Sequence, residues 1–137
     1  MVFAQWLPLV CILITSAQTS PTSAQPLDFE TFRTKVQPIL LAKHPGFARC
    51  YVCHSQGTPF RLQPLSPGAP AWTDEESRKN FDAVRRLVTP GDPTKSRLLL
   101  MPLSAESGGV AFHPGGKRWT TRDDPEWQTI AAWIAGK

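Results

Sequence analysis

Cys50-Tyr51-Val52-Cys53-His54 is the tightest constraint in the chain: two thiols three positions apart, with an imidazole directly after the second. On one helical turn such positions share a face. A structural disulfide between them would close a very small loop and remove little unfolded-state entropy. The third cysteine, Cys11, lies in an apolar N-terminal run from Val2 to about Ile14. That run is short of the roughly 20 residues a bilayer-spanning helix needs. It reads as the core of a secretory signal over residues 1–24, with cleavage near Ala17 or Ala24. Export would take the chain to the periplasm or the outer face of the cytoplasmic membrane. No Lys or Arg precedes Arg33, so the usual basic start is missing and an uncleaved anchor stays open. Val10 precedes Cys11 where lipidation would want a small residue.

Residues 25–137 then form one domain of ordinary small size. The chain has 14 prolines in 137 residues, which dictates short elements and long loops, since proline fixes φ and removes a donor. A core so limited is often completed by a disulfide, a metal or a cofactor. The 15 basic and 11 acidic residues give a charge of +4 without any basic run, so nothing points to nucleic acid.

Helical periodicity appears in three places. DFETFRTKVQPILLAK puts Phe29, Phe32, Val36, Ile39 and Leu40 on one stripe, with Asp28 as N-cap and Pro38 expected to kink the helix near residues 35–37. Thr73 and Glu76 form a capping box ahead of a face of Phe81, Val84, Leu87 and Val88. The last helix opens on Asp123 or Asp124 with Pro125 at its first position, lines up Trp127, Ile130, Ala131 and Ile134, and closes at Gly136. A shorter helix, PTKSRLLLM, starts at Pro93. His44–Gly46 is a turn and His44 is expected to face solvent. Residues 57–72 and 102–122 read as irregular loops. No sustained period-2 strand is present, so the expected fold is mostly α.

The pentapeptide is C-x-x-C-H, the haem attachment sequence. Two thiols on one turn can form thioethers to the two vinyl groups of a porphyrin, and the next residue, His54, can ligate the iron. The bound ring would then serve as core. Two alternatives compete. A thioredoxin-like dithiol expects a βαβ setting that this sequence lacks. A zinc site would draw on Cys50, Cys53, His44 and His113, without the close second spacing of zinc fingers.

FETFRTKVQPIL before CYVCH, VTPGDPTKSRLLL after it, and FHPGGKRW followed by DDPEWQTIAAWI resemble monohaem c-type cytochrome domains of the kind abundant in planctomycetes and acidobacteria. The likeness covers roughly residues 28–136. It implies a small helical domain, similar in plan to class I cytochromes c, wrapped around one covalently bound haem c, with Phe29 or Phe32 packed on Trp127, Ile130 or Trp133 where the first and last helices cross. For the sixth iron position the chain offers His113 and, less favoured, Met101. His113 stands nearer the last helix, where the Met-Pro of the resembling domains would fall, and its Gly-rich turn allows close backbone approach. Lys117, Arg118 and Trp119 are candidates for the haem carboxylates, or a solvated loop.

The implied work is single-electron transfer, as a carrier or a subunit of a larger redox complex. Its partners would be redox proteins, including a membrane-bound electron-transfer complex, with the membrane reached only through an uncleaved signal or partner subunits. No acid/base pair or nucleophile constellation is legible, so substrate turnover is not expected. The alternative is a haem-based sensor or small-ligand-binding protein with an open sixth site.

Overall fold

The computed structural model describes Met1 and residues 25–137. The export signal, its cleavage points and Cys11 all lie outside the described residues. Helix α1 begins where Asp28 caps it, its Oδ1 accepting the Thr31 N–H at 2.6 Å. It runs through three segments, Phe29–Thr31, Phe32–Val36 and Gln37–Leu41, of which the middle one is π-helical. Proline at position 38 lacks an N–H and its ring crowds the carbonyl four residues back. The wider turn, in which the Gln37 N–H reaches the Phe32 carbonyl, accommodates it. The expected interruption is thus a local widening just before Pro38.

A turn at residues 44–47 leads into α2, Cys50–His54. Helix α3, Asp74–Val84, carries both halves of the Thr73/Glu76 capping box and runs on into a 3₁₀ turn, Arg85–Leu87. The segment expected as one short helix from Pro93 is two, a 3₁₀ turn Pro93–Lys95 and α4, Arg97–Leu100. Ser96 divides them: it is extended and fully buried, and its hydroxyl accepts from Thr89 N–H and donates to the Asp92 carbonyl, both at 2.9 Å. A 3₁₀ turn, Ala105–Ser107, interrupts the long loop that follows. Helix α5, Pro125–Ile134, is capped by Asp124 and ends at Gly136, where φ is +73°. The fold is mostly α. Among the described residues there is no strand, only isolated bridges pairing His44 with Phe47 and Leu103 with Trp119. No described helix is long and apolar enough to cross a membrane.

The core forms where α5 crosses α1. The Phe32 ring lies 5.7 Å from Trp133 and 5.4 Å from Phe81. The Trp133 indole also donates to the Asp28 carbonyl at 2.8 Å, tying the start of the first helix to the end of the last. Ile130, Ile134, Val36 and Leu99 fill the space beneath. The loop between α2 and α3 is pinned rather than loose. The fully buried Asn80 accepts Gln63 N–H at 2.7 Å, Trp72 donates to the Gln63 carbonyl, and Leu62 N–H reaches the His54 carbonyl at 2.9 Å. These three bonds fix the chain directly after the pentapeptide.

Candidate functional site

A cavity of about 720 Å³ opens between α2, the end of α1, α4 and the loop carrying His113. That volume falls within the usual range for small-molecule and cofactor sites. Ile39, Leu40, Phe60, Leu87, Leu98 and Ile130 supply apolar wall, and Cys50, Cys53, His54, Met101 and His113 all border the same space. The cavity thus brings together the five residues that the sequence reading singles out for one cofactor.

Both cysteines are free thiols, Cys53 exposed and Cys50 half-buried. Burial pushes the Cys50 thiol above its ordinary pKa, with Arg118 opposing and Glu126 and Cys53 adding to the rise.

His54 is oriented by its surroundings. Its Nδ1 stands 3.2 Å from the Phe60 carbonyl and 3.2 Å from Thr58 Oγ1. A carbonyl can only accept, so Nδ1 carries the proton and Nε2 keeps the lone pair. Burial pushes the ring's pKa below its usual value, the Phe60 carbonyl pulls it back in part, and the nearby His113 adds to the depression. His54 is therefore neutral at pH 7, the form that ligates metals. His113 repeats the arrangement on a different element. Its Nδ1 donates to the Gly116 carbonyl at 2.7 Å, while Gly116 N–H returns a bond to the His113 carbonyl at 2.9 Å. Gly116 sits at φ +82°, a conformation open to glycine and costly for other residues. A Cβ on Gly115 would lie 3.2 Å from the His113 ring. The two imidazoles have centroids 6.2 Å apart and planes within 15° of parallel. Neither Nε2 has a hydrogen-bond partner among the described residues.

Met101 is half-buried at the end of α4 and lines the same cavity. His44, expected in solvent, is instead half-buried, with Nε2 3.0 Å from Glu126 Oε1. Among the described residues no three His, Cys, Asp or Glu side chains converge as a metal site on their own, so the zinc alternative built on Cys50, Cys53, His44 and His113 does not assemble.

Lys117, Arg118 and Trp119 are not a solvated loop: their side chains bond within the chain, and Arg118 and Trp119 also border the cavity. Arg118, its side chain only 5% exposed, bonds Glu126 at 3.0 Å and the Ile39 carbonyl at 2.9 Å. The Trp119 indole donates to Glu126, and Lys117 Nζ donates to the Met101 and Val110 carbonyls. Burial raises the Glu126 carboxyl, but Arg118, Trp119 and His44 outweigh it and hold the pKa below the carboxylate norm. Three further cationic groups on the cavity are ones the sequence reading does not single out. Arg61, Arg86 and Arg97 are exposed, border it from three separate elements, and pair with no carboxylate among the described residues. Asp82, four residues before Arg86, is engaged by Arg85 instead.

No protein-family model, curated protein or solved structure matches the chain.

Proposed function

We propose that the chain holds one haem c, joined through Cys50 and Cys53 and ligated by His54 and His113, and that it transfers single electrons. The observation that carries the reading is the separation of two near-parallel imidazoles on the cavity that both thiols border. An imidazole nitrogen binds a first-row metal at about 2 Å, and the ring centre lies roughly 1 Å further back. Two rings on opposite sides of one ion therefore stand about 6 Å apart, and the observed 6.2 Å agrees. Both rings also give Nδ1–H to a backbone carbonyl, the arrangement that fixes the tautomer of a ligating histidine.

When bound, haem c supplies a one-electron ferric/ferrous couple. The protein's own part is to hold and shield it. The apolar wall of Ile39, Leu40, Leu98 and Ile130 excludes water and lowers the local dielectric. Arg61, Arg86 and Arg97 offer cations to carboxylates at the mouth. With His54 and His113 both given to the metal, no coordination position remains for a substrate, which favours a carrier over a catalyst. Met101 in place of His113 would raise the potential, and the 6.2 Å separation of the two rings favours the bis-histidine pair.

Export and redox-protein partners go with this reading. They rest on the apolar N-terminal run and on the electron-transfer chemistry respectively. The test is expression of the full chain with c-type haem maturation. The expected result is a haem that stays with the denatured polypeptide, seen as an added haem mass and as the pyridine adduct spectrum of saturated vinyl positions, with a one-electron Nernst slope. A chain that matures without covalent haem, beside a control cytochrome that acquires it, removes the proposal. Co-purification with other subunits would assign it to a larger complex rather than a free carrier.

A further inference from the structure

His54 does not hold the Phe60 carbonyl alone. Thr58 Oγ1 donates to the same oxygen, while His54 Nδ1 approaches that oxygen and the hydroxyl equally, at 3.2 Å each. A carbonyl already engaged by one donor is a weaker acceptor for a second. The half-buried position of Thr58 on the cavity wall keeps the hydroxyl from turning to bulk water. The chain also closes the geometry locally: Leu62 N–H bonds the His54 carbonyl, and the Phe60 ring packs 4.7 Å from the His54 ring. Thr58, Phe60 and His54 are thereby held as one unit.

We infer that Thr58 is a positioning residue that tunes His54: its hydroxyl competes for the Phe60 carbonyl and so limits how strongly the Nδ1–H bond polarises the imidazole. This rests on the haem reading above. A histidine whose Nδ1–H is bonded more strongly has more imidazolate character and is a better donor to the metal. A stronger donor favours the ferric state, so the hydroxyl raises the reduction potential. Only the strength of a hydrogen bond changes; the proton stays on Nδ1 and no bond is broken.

The test is the midpoint potential of the matured full-length protein with T58V and T58S. Valine keeps the branched shape and deletes the donor, so the carbonyl passes wholly to His54. The expected result is a fall in potential for T58V, equivalent to a roughly three- to tenfold lower reduced-to-oxidised ratio at fixed ambient potential, tenfold being about 59 mV for one electron. T58S, which restores the hydroxyl, stays at the wild-type value. The His54 Nδ1 proton resonance should move downfield in T58V and not in T58S. An unchanged or raised potential in T58V overturns the inference, a rise meaning that the hydroxyl acts on His54 as an acceptor. If T58V fails to retain its haem, T58A is judged by the same criterion. Failure of the haem reading is separately visible, because the wild-type chain would then carry no covalent haem.

Discussion

The imidazoles of His54 and His113 stand 6.2 Å apart between centroids with their planes within 15° of parallel, and each is tied through Nδ1 to a backbone carbonyl. They come from opposite sides of the cavity, one on a short helix and one on a glycine turn. If both ligate one iron, removing His113 should open a coordination position. The reduced H113A protein is expected to bind CO rapidly, with the wild type and M101L resisting it. Wild-type CO binding as fast as that of H113A would restore the open-site, sensor-like alternative. Loss of the native spectrum in M101L with H113A unaffected would hand the sixth position to Met101.

Attachment through both thiols has its own signature. C50S and C53S are each expected to keep the haem by one bond and to shift the pyridine adduct band toward that of a vinyl-bearing porphyrin. The double variant should release its haem to acidified acetone. Retention of haem by the denatured double variant would mean that some other group holds it.

Glu126 makes stability depend on pH in a stated direction. It accepts from Arg118 and Trp119, and His44 Nε2 is bonded to it, so its folded pKa lies below the ordinary value of 4.5. The folded state then binds fewer protons than the unfolded one as the pH drops. The contribution is fully present above about 4.5 and is lost as pH falls through the lower, folded value. Thermal melts of the matured protein should show this acid loss in the wild type and much less of it in E126Q. At neutral pH, E126Q should cost about 3 kcal/mol, because it leaves the buried Arg118 guanidinium uncompensated. An acid limb unchanged in E126Q would move the titration elsewhere.

Periodicity and caps were enough to anticipate α1, α3 and α5. In each, an Asp or Thr side chain bonds the first turn and an apolar stripe repeats at helical spacing, so local chemistry and tertiary burial agree. What the sequence left hidden depends on contacts between distant segments. Ser96 breaks a helical run because its hydroxyl answers Thr89 and Asp92, a bond with no pattern to betray it. His44 and Glu126 are separated by 82 positions, and the loop at Lys117 to Trp119 is not solvated because Glu126 draws Arg118 and Trp119 inward. Even the π-helical turn before Pro38 follows from proline chemistry only in hindsight, since a kink would satisfy the same constraint. The pentapeptide itself identified Cys50, Cys53 and His54. That His113 and Met101 both border the cavity is a property of the fold.

The cationic mouth offers a last test that is independent of the ligands. Arg61, Arg86 and Arg97 lie exposed beside the cavity and pair with no carboxylate among the described residues, so their three charges exceed the two that the carboxylates of a bound haem would offset. Unpaired charge at an entrance concentrates ions of opposite sign and speeds their encounter. Electron exchange with an anionic reagent such as ferricyanide should therefore slow roughly tenfold in R97E at low ionic strength. The fold should tolerate this change, because Arg97 is the first residue of α4 and a carboxylate suits a helix's first turn. Exchange with a neutral or cationic reagent should not slow. The gap between R97E and wild type should close near 1 M salt, where the screening length falls to about 3 Å. A slowing that persists at high salt, or that is equal for reagents of both signs, would trace the effect to altered packing around Leu98 and Met101. The mouth would then have no steering role.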